Sequence, residues 1–362
     1  MKKGKKQELV IFLVIVGIAA FFRLYRLDDF ASAVIGILTV IGLYLLTKEL
    51  FEWRMAALAG YLMAVSFWHV GFSRTGSPAV MLPFVMVFGF YFFWRGLKHQ
   101  RKFDFLMAGI FAGFASYLNI GYDLIPLIGL LVFVNYWWYL KKDFAHSDYD
   151  HAKTRFLQGV SLVVITIILV SLPVFIYYWT HDGNFLNKIP AVSLSNIIKT
   201  LGMFNFTGAP ILHWTLGVFF IVGFIKEFAH WLKRKHGHFS TLHTLIISWF
   251  FISLIPGFLS PNAPDALATI GALPVVMIIT TRGLWWFFEK LSAWYKVNLP
   301  GRQAGDPAYL QHERHVVIAL VLIIFLATIG FVEFWRYFKK ENERIFPLKN
   351  NRKRTEIKQR KS

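Results

Sequence analysis

Four short polar stretches interrupt an otherwise apolar chain, and each carries groups able to do chemistry. The first is Trp68-His69-Val70-Gly71-Phe72-Ser73-Arg74-Thr75-Gly76-Ser77-Pro78, between apolar runs at 55–68 and 80–94. A guanidinium near hydrocarbon is costly unless it is paired or wetted. Arg makes forked, charge-assisted contacts to phosphate oxygens, so Arg74, with His69 and Ser73 beside it, is a candidate phosphate site. The plainer alternative is an interfacial arginine reaching to headgroups, with His69 packed in the core. The second stretch, Arg23-Leu24-Tyr25-Arg26-Leu27-Asp28-Asp29-Phe30, sets two carboxylates near two guanidiniums. Asp28 or Asp29, tuned by such neighbours, could act as general base on an acceptor hydroxyl; a solvated ion-pair collar ending a helix is the alternative. The third holds Asn119, Tyr122 and Asp123, whose carboxylate lies close to apolar segments and needs a partner such as Arg74. The fourth, Ser260-Pro261-Asn262-Ala263-Pro264-Asp265-Ala266-Leu267, contributes Asp265.

Other chemistries lack their residues. There is no cysteine, which excludes disulfides and thiolate catalysis. His146, His151, His236, His238 and His243 show no metal-ligand spacing, and no metal site is expected. No Walker loop and no GxGxxG is present, so a nucleotide-powered enzyme is not expected and no cofactor is implied.

The elements that must position these groups are membrane helices. Of 362 residues, 56% are hydrophobic, 18% aromatic and only 16% charged. Continuous apolar runs recur from end to end, each long enough for about 30 Å of hydrocarbon. Lipid admits only helices or closed barrels, and the runs do not alternate as barrel strands do. The expected fold is all-α, a polytopic bundle of about eleven spans: 9–22, 31–46, 55–72, 80–94, 105–118, 124–140, 157–179, 211–228, 242–259, 270–288 and 316–334. Residues 1–338 form one transmembrane domain and 339–362 a basic tail. The first run ends in Phe21-Phe22-Arg23 without a small-residue cleavage site, so it reads as a retained helix. In the segment 181–210, Leu194, Ile197, Ile198, Leu201 and Phe204 share helical spacing, with Ser195, Asn196, Lys199 and Thr200 on other faces. This reads as a helix lying in the membrane interface or as an amphipathic helix covering the bundle.

The formal charge of +19 falls mostly in short loops, where Lys and Arg set topology and touch anionic headgroups; nucleic acid is not an expected partner. The basic loops alternate with charge-poor ones. That bias puts the N-terminus in the cytoplasm and the four polar stretches on the outer face of the cell membrane. The C-terminus conflicts with it: eleven crossings leave the tail outside, yet residues 339–361 carry ten Lys/Arg against three Glu.

The order of these segments resembles the GT-C glycosyltransferases, specifically bacterial relatives of the dolichyl-phosphate-mannose protein mannosyltransferases and the lipid A aminoarabinose transferase. The resemblance is carried by Phe21-Phe22-Arg23-Leu24-Tyr25-Arg26-Leu27-Asp28, Ile35 to Phe51, Ala64-Val65-Ser66-Phe67-Trp68-His69-Val70-Gly71-Phe72-Ser73-Arg74, and Pro264 to Pro274. It implies inverting transfer of a sugar from a polyprenyl-phosphate donor to a lipid, glycan or protein acceptor on the outer face. It also implies a first-loop Asp as general base and basic side chains on the lipid phosphate, where Arg74 matches. Tyr122 and Asp123 would shape the sugar pocket. One departure stands out. The family's first outer loop is long and acidic, whereas here Asp29 runs directly into the second helix. The resemblance therefore admits two functions: a transferase using Asp28 or Asp29, or a loop-trimmed, catalytically silent core that binds polyprenyl lipids or acts as a scaffold. A transporter ranks third, because few ionisable residues lie at mid-helix depth: Arg282 and Glu333 sit near span ends.

Overall fold

The computed structural model describes residues 2–24, 30–118, 124–143, 146–181, 193–206, 211–233, 238–297 and 308–339. Thirteen α-helices and short 3-10 turns make up these residues, with no strand among them. They are α1 (Lys2–Leu24), α2 (Phe30–Leu50), α3 (Trp53–Val65), α4 (Phe67–Arg74), α5 (Met81–His99), α6 (Lys102–Phe114), α7 (Ile125–Asp143), α8 (His146–His181), α9 (Leu194–Gly202), α10 (Trp214–Leu232), α11 (His238–Leu259), α12 (Leu273–Val297) and α13 (Ala308–Lys339).

All eleven apolar stretches coincide with helices. Among the described residues, eight helices are long and apolar enough to cross a membrane alone, and nine if the bent pair α3–α4 counts as one. The helices at 105–118 and 124–140 are shorter than a full crossing. The stretch 55–72, expected as one helix, is corrected to two, bent by 54° at Ser66. Hydropathy is continuous across the break. What divides it is Ser66, whose backbone leaves the helical region (φ −53, ψ 118) and whose hydroxyl accepts from the His69 N–H.

The start of α1 and the end of α13 lie at opposite ends of the bundle. Glu8 pairs with Lys48, and Glu49 with Lys98, at the basic end. At the other end the aromatic rings of Tyr337 and Phe338, near the end of α13, lie against the Arg74 guanidinium. Small residues allow close crossings. A Cβ on Gly223 of α10 would sit 2.0 Å from the Ile279 carbonyl of α12, and one on Gly283 of α12 would sit 1.9 Å from the Phe219 carbonyl. A polar trio from α10, α11 and α12 gathers beside this crossing. Glu227, wholly buried, accepts from His243 Nδ1 (2.6 Å) and from Arg282 Nε.

Helix α9 leaves Leu194, Ile198 and Leu201 exposed together with Ser195 and Lys199, while Thr200 is buried. Polar bonds hold it to the bundle, Asn196 donating to the Ser260 carbonyl (3.0 Å) and Thr200 to the Gly257 carbonyl (3.2 Å). Asn196 and Thr200 are the docked positions, and the exposed Leu194, Ile198 and Leu201 are free for lipid.

Candidate functional site

The broken span α3–α4 organises the candidate site. A helix break exposes backbone groups on both sides, and inside a bilayer each needs a partner. On the carbonyl side the partner is Arg23, near the end of α1 and wholly buried. Its Nη1 donates to the carbonyls of Ala64 (3.0 Å) and Ala19 (3.1 Å), and its Nη2 to that of Met63 (3.3 Å). On the N–H side the partner is Glu333 of α13, whose Oε2 accepts from the Phe67 N–H at 2.8 Å. A cation thus sits at the C-terminus of α3 and an anion at the N-terminus of α4, the sense the helix dipole favours at both ends.

The capped half-helix carries His69, Ser73 and Arg74. Arg23 Nη2 also bonds to His69 Nδ1. Arginine can only donate, so Nδ1 accepts and the imidazole proton is assigned to Nε2. His69 is fully buried, and Nε2 meets no partner among the described residues. Arg74 is only 3% exposed. Its Nη1 donates to the carbonyls of Phe22 (3.1 Å) and Arg23 (3.4 Å) at the end of α1, and its guanidinium lies 5.3 and 5.2 Å from the ring centroids of Tyr337 and Phe338. Ser73 turns its hydroxyl back to the Val70 carbonyl (3.0 Å). Its Cβ packs so close to Gly36 of α2 that a Cβ there would be 2.6 Å away, and one would also meet Arg23 Nε at 2.8 Å. Only glycine leaves room for Arg23 to reach the break.

Of the other expected residues, Asp28, Asp29, Tyr122 and Asp123 lie outside the described residues. Asp265 is half-buried and serves its own turn. Its Oδ1 accepts from the N–H groups of Leu267 (2.9 Å) and Ala268 (3.0 Å), and its Oδ2 from Ser260 (3.0 Å). That turn touches α4 through Trp68, whose Nε1 donates to the Ala266 carbonyl at 3.2 Å. The structure thus brings Arg74, His69 and Ser73 together on one helix, with the Asp265 turn beside it. Two further residues at the site, Arg23 and Glu333, fall outside the candidate site residues read from sequence, where Arg23 groups with Asp28 and Asp29 and Glu333 lies near a span end. The available signal was ionisable side chains within otherwise apolar helices.

This architecture is GT-C-like: the fold is similar to that of an archaeal oligosaccharyltransferase, and part of the chain matches a mannosyltransferase family. Residues 29–177 match the family described as dolichyl-phosphate-mannose-protein mannosyltransferase. The crystal structure of the Archaeoglobus fulgidus oligosaccharyltransferase in the apo form is similar at TM-score 0.50 and 14% identity, over 87% of this chain and 47% of that one. The same enzyme in complex with Zn and sulfate is similar at TM-score 0.51 and 17% identity, over 85% and 40%. The chain therefore spans less than half the length of these structures. No curated protein matches it significantly.

Proposed function

We propose that the chain transfers a sugar from a polyprenyl-phosphate sugar to a lipid, glycan or protein acceptor at the Arg74 end of the bundle, on the outer face of the cell membrane. The observation that carries this reading is that Arg74, buried at the end of α4, donates to the Phe22 and Arg23 carbonyls at the end of α1, which gathers two buried arginines in one region. Like charges crowded in apolar surroundings raise the affinity of that region for an anion. Arg23 is committed to the break. Arg74, assisted by the Nε2–H of His69, holds the donor phosphate. In this reading Asp28 or Asp29 deprotonates the acceptor, Tyr122 and Asp123 shape the sugar pocket, and Asp265 keeps its turn against α4. The match of residues 29–177 to a family named for a dolichyl-phosphate-mannose donor supports the donor class.

One observation favours a second reading, a lipid-binding core without transferase activity. Only five residues separate α1 from α2, where the resembling family carries a long acidic loop. The two are separated by supplying the purified chain with a radiolabelled polyprenyl-phosphate hexose and peptide or lipid acceptors. The first reading expects transfer that Arg74→Ala abolishes and Asp28→Asn with Asp29→Asn abolishes independently. Lipid binding weakened by Arg74→Ala, with no transfer by the unmodified chain, selects the second. No binding and no transfer refutes both.

A further inference from the structure

Glu333 has no part in the proposed chemistry, yet it is 2% exposed in a membrane-spanning helix. It tethers the far end of the chain to the site. Its Oε2 takes the Phe67 N–H and its Oε1 accepts from Arg336 Nη1 at 3.0 Å. The Arg336 guanidinium lies 5.0 Å over the Phe67 ring, and the Tyr337 ring stands 6.1 Å from it. Tyr337 and Phe338 then flank Arg74 at the other end of α4. About a turn and a half of α13 thus touches both ends of α4.

We propose that Glu333 is a positioning residue for Arg74: by holding the Phe67 N–H it fixes the bend at Ser66 and so the place of the guanidinium. The lever is short and stiff. Eight helical residues span about 12 Å, so a change of about 20° in the bend carries the Arg74 end by roughly 4 Å. That is more than the difference between a hydrogen bond and no contact. The role in anion binding rests on the reading that Arg74 holds a phosphate; the role in fixing the bend does not.

The chain's lack of cysteine makes the position measurable. Spin labels on Thr75→Cys, just past α4, and Trp138→Cys, exposed on α7, report the distance across the bundle in detergent-solubilised full chain. Glu333→Ala should change that distance by roughly 4 Å. It should weaken farnesyl phosphate binding about tenfold, the loss expected when a charge-assisted contact is misplaced. Farnesol binding should be unaffected, and no further loss should appear on an Arg74→Ala background. Glu333→Gln keeps an oxygen acceptor and should stay near the parent in both measurements. If Glu333→Ala does not fold, Phe67→Pro removes the donor at a first-turn position that tolerates proline; an unchanged label distance there overturns the proposal. So does an unchanged distance in Glu333→Ala, or an equal loss of farnesol binding. Arg74→Ala weakening farnesyl phosphate while Glu333→Ala does not refutes positioning and leaves the anion site standing. Arg74→Ala without effect refutes the anion site, and the label distance still decides the bend.

Discussion

Replacing Arg23 with Met tests whether the break at Ser66 depends on its cap. The substitution keeps the apolar stem and removes the guanidinium. It strands the carbonyls of Met63 and Ala64 and the Nδ1 of His69, three groups that Arg23 now satisfies in a site closed to solvent. The Ala19 carbonyl belongs to the same helix four residues back and loses only a shared bond. Each stranded buried group costs about 1–3 kcal/mol, so the gross loss is roughly 3–9 kcal/mol. Against it stands relief from burying a charge, worth several kcal/mol. The acceptors remain behind after the swap, so the relief is partial and the expected net destabilisation is about 2–4 kcal/mol. Arg54→Met, at an exposed position next to Trp53, is the control. Denaturant titration of the detergent-solubilised proteins, read by tryptophan fluorescence, should show a lowered midpoint for Arg23→Met and the parent's midpoint for Arg54→Met. An Arg23→Met protein as stable as the parent would refute the capping argument.

Gly36→Ala should lower the unfolding midpoint. Its Cβ meets Ser73 Cβ and Arg23 Nε below 3 Å, and overpacking of about 1–3 kcal/mol outweighs a helix-propensity gain of about 1 kcal/mol. At the basic end, Arg282→Ala should cost more than Glu227→Ala in the same titration. The former leaves a fully buried carboxylate with His243 alone, about 3–5 kcal/mol, whereas the Arg282 side chain, 24% exposed, reaches water when its partner is removed. Reporter enzymes fused before Met1 and after Ser362 should report opposite sides of the membrane. Glu8 pairs at one end of the bundle and Tyr337 stacks at the other, so finding both reporters on one side would contradict the path of α13.

The helices were legible in sequence because lipid leaves hydropathy little else to encode: ten of the eleven apolar stretches each coincide with one helix, and the stretch 55–72 with two. Arg74, His69 and Ser73 were legible as a group because they fall within six residues on one of those helices. The break between them and α3 was not. One hydroxyl at Ser66 does not interrupt an apolar run, and the groups that stabilise the break come from elsewhere, Arg23 from some 40 residues before it and Glu333 from 266 residues after Phe67. Arg23 fitted an ion-pair collar equally well from sequence, since only packing shows that it points into the bundle. Glu333, near the end of a span, offered only Arg336 three residues on, and its long-range partner is a backbone N–H, which sequence does not display. Asp265 carried the opposite ambiguity. Flanked by Pro261 and Pro264, it sits where a turn would use a carboxylate for its own N–H groups, and it does so.

The two caps of the Ser66 break are made at different moments in the life of the chain. Arg23 and the carbonyls it holds are synthesised close together and meet as soon as the first spans insert. Phe67 must wait for Glu333. At a synthesis rate of about 5–20 residues per second, the 266 residues between them take on the order of tens of seconds. Throughout that interval the α4 N-terminus lacks its carboxylate, and Arg74 lacks the two rings of α13. The guanidinium is set in place only when α13 arrives, so a chain interrupted before α13 carries the residues of the proposed anion site without their geometry. Synthesis of α13 and completion of this arrangement become a single event.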